Sequence, residues 1–264
     1  MGEMSVAYDR SGTGPPLLLI HGLGGERHIW EPVLEHVTPE RDTIRVDLPG
    51  FGDSPVLPKG TKATPWALAA GIAEQLDELG LDRVHVCGNS LGGWVALELA
   101  KAGRALSVTG IGTAGLWRGP LAPKPYLMRN VSRALRPALP ALLRAGGVRR
   151  FALLGSVAHP ERIPVEAAVR IAVAYARSPG FVNASNNMRA NHFTGGEQVQ
   201  VPVTMAWCEH DRLIARPRKL PFPARETVLE DCGHVPMYDD PVAVARVVLA
   251  GSAEPAVRAS TARA

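Results

Sequence analysis

Residues 83–102 set a serine between glycines at the junction of two unlike runs, RVHVC before it and LGGWVALELAKA after it. The first run has the apolar, β-branched character of a buried strand. The second has helical spacing. Gly88-Asn89-Ser90-Leu91-Gly92 between them fits the pattern G-x-S-x-G. A strand that turns directly into a helix holds its central residue in a strained backbone conformation with the side chain presented outward. Only residues without a Cβ fit two places before and two places after it. The same junction sets the first amides of the helix beside the hydroxyl, where they favour developing negative charge. Five residues alone are a weak signal, because small residues recur by chance; the strand before and the helix after give them weight.

The rest of the chain extends this strand–helix rhythm. PPLLLIHG (15–22) is a continuous apolar run that suits a buried parallel strand, and 26–37 carries Ile29, Trp30, Val33, Leu34 and Val37 at helical spacing. DTIRVDLPG (42–50) predicts a second strand. Thr64-Pro65 reads as an N-cap and first helical turn, opening a helix that stops at Gly80. After the serine junction, 105–113 predicts a fourth strand. Later, 201–211 and 226–234 predict two more, and Pro241 to Leu249 a terminal helix. This order implies a mostly parallel central sheet flanked by helices, an α/β fold. Residues 117–195 break the rhythm with eight prolines and several short helical patterns, and predict a helical cap inserted between two strands. The expected division is a core of 1–116 and 196–250, a cap or lid of 117–195 and a flexible tail of 251–264.

Composition excludes several classes. No run of eighteen apolar residues exists, so no membrane span is expected, and MGEMSVAYDRSG lacks the apolar core of a signal peptide. The expectation is a cytoplasmic protein. Three cysteines, Cys87, Cys208 and Cys232, without metal-like spacing argue against a disulfide framework. No metal and no cofactor are expected, since no His/Asp/Glu cluster has ligand spacing. HGLGG (21–25) lacks the Gly-Lys-Ser/Thr ending of a phosphate loop. The overall charge is +4, but residues 115–195 hold twelve Lys or Arg and two acids, Glu161 and Glu166. Such a segment suits an anionic substrate or an acidic carrier protein bearing an acyl thioester, or it is arginine solvating a chain rich in Ala, Gly and Pro. Aromatic residues do not interleave with the arginines as in a nucleic-acid patch, so no nucleic acid is expected.

Five motifs in order resemble the α/β-hydrolase superfamily over nearly the whole chain: HGLGG (21–25), DLPGFGDS (47–54), GNSLGGW (88–94), WCEHDRLI (207–214) and DCGHVPMYDDP (231–241). The resemblance implies an α/β-hydrolase fold and a catalytic set of Ser90, Asp211 and His234. The chemistry needs these three types, because a serine hydroxyl is a poor nucleophile. An imidazole must take its proton and return it, and a carboxylate must hold that imidazole in the right tautomer. Among eight histidines, His234 follows a strand and precedes the last helix. For the acid, Glu209 and Asp211 both follow Trp207; the resemblance points to Asp211. An acid one strand earlier is excluded, because no Asp or Glu occurs between Glu98 and Glu161. The resemblance also implies an oxyanion hole from the backbone N–H groups of Leu23 and Leu91. Dehalogenase and epoxide-hydrolase branches of the superfamily use an aspartate nucleophile, which Ser90 is not.

The expected activity is hydrolysis of a carboxylic ester of a small or medium acyl substrate through an acyl-serine intermediate. The alternatives are a thioesterase or acyl-transfer enzyme, a carbon–carbon bond hydrolase, and a non-catalytic small-molecule receptor on the same fold. Trp30, Met128 and Phe193 are expected to line the substrate pocket.

Overall fold

Side chains alternate across a pleated strand, so an apolar run can serve two cores at once. In the computed structural model, which describes residues 5–122 and 126–253, β2 (Pro16–Ile20) does this. Leu18 and Ile20 pack on one face with Ile44, Val86 and Trp94. Leu17 and Leu19 pack on the other with Cys87, Ile111 and Val248. The remaining strands are β1 (Tyr8–Ser11), β3 (Asp42–Val46), β4 (Val84–Asn89), β5 (Ala105–Ile111), β6 (Val203–Cys208) and β7 (Arg225–Leu229). They form one sheet in the order β1-β3-β2-β4-β5-β6-β7. Neighbours from β3 to β7 are parallel, and β1 is antiparallel to β3. Helices α1 (Glu31–Val37) and α9 (Pro241–Gly251) pack together on one face. Helices α2 (Pro65–Glu78) and α3 (Leu91–Lys101) cover the other. Thr64 caps α2 as expected, its Oγ1 accepting the Ala67 N–H at 3.2 Å.

Local physics explains the departures from expectation. β1 is an edge strand of polar, half-exposed residues, YDRS, and no apolar run announces it. The helix expected over 26–37 divides into a 3₁₀ turn, Arg27–Trp30, and α1. Pro32 has no N–H to donate to His28, so a continuous helix loses a bond there. The second expected strand ends early too: β3 stops at Val46, and Leu48–Phe51 turns back on itself, with the Phe51 N–H on the Leu48 carbonyl at 2.9 Å. The first two residues of the tail expected from 251 are held in the fold. Gly251 ends α9, and buried Ser252 accepts from Arg41 through both its hydroxyl and its carbonyl at 3.0 Å. Residues 254–264 lie outside the described residues.

Between β5 and β6 the described residues form the α-helices α4 (Leu127–Ala134), α5 (Leu139–Leu142), α6 (Gly146–Leu153), α7 (Val165–Arg177) and α8 (Phe181–Ala190), with short 3₁₀ turns among them. This segment rests on loops at the C-terminal ends of the strands. Gly180 lies against Gly50, its N–H on the Gly50 carbonyl at 2.9 Å. Tyr175 and Phe181 lie over Gly24. β3 lies on one side of β2 and β4 on the other, so the chain reverses its winding at the β2–β4 pair. The loops leaving the C-terminal ends of that pair diverge and leave a crevice. Ser90 and the HGLGG loop both stand there.

Candidate active site

Ser90 stands where β4 becomes α3, with φ 56° and ψ −116°. A residue with a Cβ avoids that region unless its surroundings hold it there. Its N–H donates to the Ile111 carbonyl at 2.9 Å. Its own carbonyl accepts from Gly93 (3.1 Å), Trp94 (3.3 Å) and Ala114 (3.0 Å). The flanking glycines make the turn possible. A Cβ on Gly88 would overlap the Gly92 carbonyl, and one on Gly92 would overlap the carbonyls of Ile20 and His21. Backbone cannot step aside as a side-chain tip can, so Gly88→Ala is expected to destabilise the protein by roughly 3 kcal/mol. Urea unfolding followed by circular dichroism checks this; a loss below about 1 kcal/mol would show that the turn is not as tight as described.

His234 and Asp211 meet on the neighbouring strand ends. The His234 Nδ1–H donates to Asp211 Oδ2 at 2.7 Å. The other carboxylate oxygen, Oδ1, accepts the N–H groups of Leu213 (2.8 Å) and Ile214 (2.9 Å). The carboxylate is therefore fixed by the backbone at one oxygen and holds the imidazole with the other. Gly112 (φ 51°) ends β5 beside them. A Cβ there would lie 3.0 Å from Asp211 Oδ2 and 3.2 Å from His234 Nδ1, so glycine leaves room for the pair. Both side chains are nearly buried, His234 at 6% and Asp211 at 5% exposure. With Nδ1 committed to Asp211, Nε2 is the nitrogen left to exchange a proton.

The HGLGG loop faces the serine. A Cβ on Gly22 would lie 3.0 Å from the Cβ of Ser90. Leu23 follows Gly22, and Leu91, the first residue of α3, has an N–H with no acceptor inside the helix. His21 braces this loop. It is wholly buried, its Nδ1–H donating to the Gly22 carbonyl at 2.7 Å and its Nε2 accepting the Leu48 N–H at 3.0 Å. That pattern needs the neutral ring, and burial lowers its pKa, Asp47 opposing only in part. The unfolded chain, with a histidine near its ordinary value of about 6.5, binds more protons than the folded one below that pH. The His21 contribution is thus complete above about pH 6.5 and is lost as the pH falls. Wild type is expected to lose stability more steeply than His21→Gln between pH 6.5 and 5. Equal slopes in urea titrations would contradict this assignment.

The three residues expected at the substrate pocket lie in three different surroundings. Trp30 is fully buried with Leu17, Leu19 and Val33 against the sheet. Met128 is 59% exposed on the outer face of α4. Phe193 packs edge-on against Phe222 with Lys101 over its ring. Lys101 ends α3 and Ser90 immediately precedes it, a span of about 16 Å for the eleven residues of the helix. Glu209 accepts the Asp231 N–H at 2.9 Å and does not reach His234. Cys232 is buried, its thiol pushed up to about 12 by burial and then by nearby acids.

Two supporting residues were missed by the sequence reading. Asn89 Nδ2 donates to the carbonyls of Ile111 (3.1 Å) and His234 (2.8 Å), tying the serine turn to the histidine loop. It occupies a free position in G-x-S-x-G. Asp239, also buried, accepts the N–H groups of Gly233, Ala158 and His159 at 2.8–2.9 Å, joining the histidine loop to the helical segment. The doubled acid at 239–240 was the available hint; Asp240 caps α9 through the Ala243 N–H.

A doubly wound sheet that gathers a serine turn, a glycine-rich loop and a carboxylate–imidazole pair at one end has the architecture of an α/β hydrolase. The model of the alpha/beta hydrolase family matches residues 17–247, and the chain belongs to that family. It is an enzyme of the α/β-hydrolase type. Epoxide hydrolase EphH of Mycobacterium tuberculosis is 34% identical over 212 residues, covering 73% of this chain and 98% of that protein. A pimeloyl-[acyl-carrier protein] methyl ester esterase of Aeromonas salmonicida is 38% identical over 97 residues, 37% of this chain and 36% of that one. Among solved structures, a thermophilic esterase from Thermogutta terrifontis superposes with a TM-score of 0.69 at 25% identity, covering 92% of this chain and 91% of that one. No helix among the described residues is long and apolar enough to cross a membrane.

Proposed function

We propose that the protein hydrolyses a carboxylic ester of a small or medium acyl group through an acyl-serine intermediate, with Ser90 as nucleophile, His234 as general base and Asp211 as the carboxylate that orients it. The observation that carries this reading is the 2.7 Å bond from His234 to Asp211, with the second oxygen of Asp211 held by two backbone amides. In the first step His234 Nε2 takes the Ser90 proton as Oγ attacks the ester carbonyl. The tetrahedral oxyanion is received by the N–H groups of Leu23 and Leu91, each such donor contributing about 3 kcal/mol to lowering the barrier. The protonated imidazole, stabilised by Asp211, returns the proton to the leaving alcohol. Water, activated by the same nitrogen, then releases the acid. Residues 117–195 serve as a cap, consistent with the contacts of Tyr175, Phe181 and Gly180 on the loops below.

The relatives named for epoxides and for esters raise two bond types, and the nucleophile favours the ester. A serine opening an epoxide would leave an ether on the enzyme, with no carbonyl for water to attack, so turnover would stop after one cycle. The basic cap is the surface available to an anionic substrate or an acidic acyl carrier. The test is intact-protein and peptide mass spectrometry after mixing with p-nitrophenyl acyl esters of two to ten carbons and with one terminal epoxide. An acyl adduct on the peptide holding Ser90, together with catalytic p-nitrophenol release, is the expected result. Turnover of the epoxide with no acyl adduct would overturn the reading.

A further inference from the structure

The helical segment buries a guanidinium that no acid among the described residues neutralises. Arg129 on α4 is 5% exposed. Its Nη2 donates to the Ser178 carbonyl at 2.6 Å, and its Nε has no partner. Among the described residues no carboxylate forms an ion pair with it. Glu161 faces His159, Glu166 lies in the first turn of α7, and Asp53 is shared by Arg27 and Arg177. A guanidinium stays ionised in proteins, and burying one without an anion is costly. Burial and the neighbouring Arg133 both push its pKa down, as expected for a charge that lacks its counter-ion.

The place of this charge matters as much as its lack of a partner. Arg129 lies over the ring of Phe181, 5.0 Å from its centroid. Tyr126 and Tyr175 flank that ring edge-on at 5.8 and 5.1 Å. Phe181 and Tyr175 in turn sit on Gly24, where a Cβ would lie 3.1 Å from the one and 2.7 Å from the other. One layer of rings therefore separates the guanidinium from the loop that carries Leu23. Leu127, Met128 and Val131 of α4, and Leu135 just after it, are exposed, so a ligand that shifts this helix gives up little packing.

We propose that Arg129 receives a carboxylate of the substrate, so that the ester this enzyme takes is a monoester of a dicarboxylic acid, cleaved at one end and held by its free acid at the other. The planar fork of arginine matches a carboxylate with two parallel hydrogen bonds, and Arg129 has donors left to make them. The surrounding rings suit the methylene chain between the two ends. The surplus of basic residues over 115–195 draws such an anion toward the segment. This inference rests on the ester reading above and names its substrate class.

The test compares two ester series in wild type, Arg129→Lys and Arg129→Gln. One is the monomethyl esters of dicarboxylic acids from succinate to suberate; the other is the methyl esters of monocarboxylic acids of the same lengths. Wild type is expected to favour the charged ester at its best length by at least tenfold in kcat/KM. Arg129→Gln is expected to reduce that preference at least tenfold, mostly through KM, and Arg129→Lys to retain part of it. An equal loss on both series would show that Arg129 only ties α4 to Ser178, and no wild-type preference for charge would also overturn the proposal. Calorimetric binding of free adipate and glutarate to Ser90→Ala, with and without Arg129→Gln, separates the two readings. Arginine-dependent binding without hydrolysis of any ester sinks the ester reading alone. Ester hydrolysis with neither charge preference nor diacid binding sinks this one alone.

Discussion

Replacing Ser90 with alanine is expected to lower kcat on a p-nitrophenyl ester by about 10⁴- to 10⁶-fold. The effect is large because the hydroxyl is the group that forms the covalent bond in the proposed cycle. The thiol of Cys87, three residues earlier on β4, cannot substitute, since it is fully buried and held protonated by that burial. The fold should tolerate the change. Serine and alanine share the Cβ that the turn already accommodates at φ 56°, and the backbone bonds to Ile111, Gly93, Trp94 and Ala114 do not involve the hydroxyl. Thermal unfolding is therefore expected to change by no more than about 1 kcal/mol. Labelling by a fluorophosphonate should vanish with the hydroxyl. A variant that keeps more than a few per cent of wild-type turnover would mean that another group does the chemistry. Loss of turnover with loss of fold would say nothing for Ser90, which is why the unfolding measurement accompanies the kinetics.

The sheet and the serine turn were legible in the sequence because both are enforced by backbone. Continuous apolar runs mark β2, β4, β5 and β6, since a strand covered on both faces needs apolar residues in both registers. The glycines at 88 and 92 mark the turn because carbonyls occupy the space where a Cβ would go. Asp211 was implied by the family resemblance and His234 also by its place between a strand and the last helix; the structure brings the two together at 2.7 Å. β1 was not found, because four polar residues on an edge carry no apolar alternation. Asn89 and Asp239 were not found because their roles are hydrogen bonds to backbone groups distant in the chain, as far as Asn89 to the His234 carbonyl. The surroundings of Trp30, Met128 and Phe193 were hidden for a related reason. All three are large and apolar, but composition cannot say whether a side chain faces core, solvent or crevice. Arg129 looked like one of many solvated arginines; its burial against Phe181 is a product of tertiary packing.

Asp211→Asn provides the sharpest test of how the imidazole is held. An asparagine has one oxygen and one NH₂ where the aspartate has two oxygens. The position of Oδ1 must hold an acceptor, because the N–H groups of Leu213 and Ile214 point at it from 2.8 and 2.9 Å. With the amide oxygen placed there, the NH₂ faces His234 Nδ1, where Oδ2 now accepts at 2.7 Å. The amide then donates to Nδ1, and the ring proton moves to Nε2. That tautomer cannot take the proton of Ser90. The opposite rotamer would set NH₂ against two N–H donors, leaving all three without acceptors in a nearly buried site. The backbone thus selects the unproductive arrangement, and kcat is expected to fall by about 10⁴-fold, the scale known for a wrong-tautomer substitution. Glu209→Gln keeps an acceptor for the Asp231 N–H and does not reach His234, so its kcat should stay within about threefold of wild type, as for surface changes away from a buried network. If Asp211→Asn retained near-normal turnover while Glu209→Gln lost it, the carboxylate would have been assigned to the wrong residue, and the bond between Asp211 and His234 would be structural.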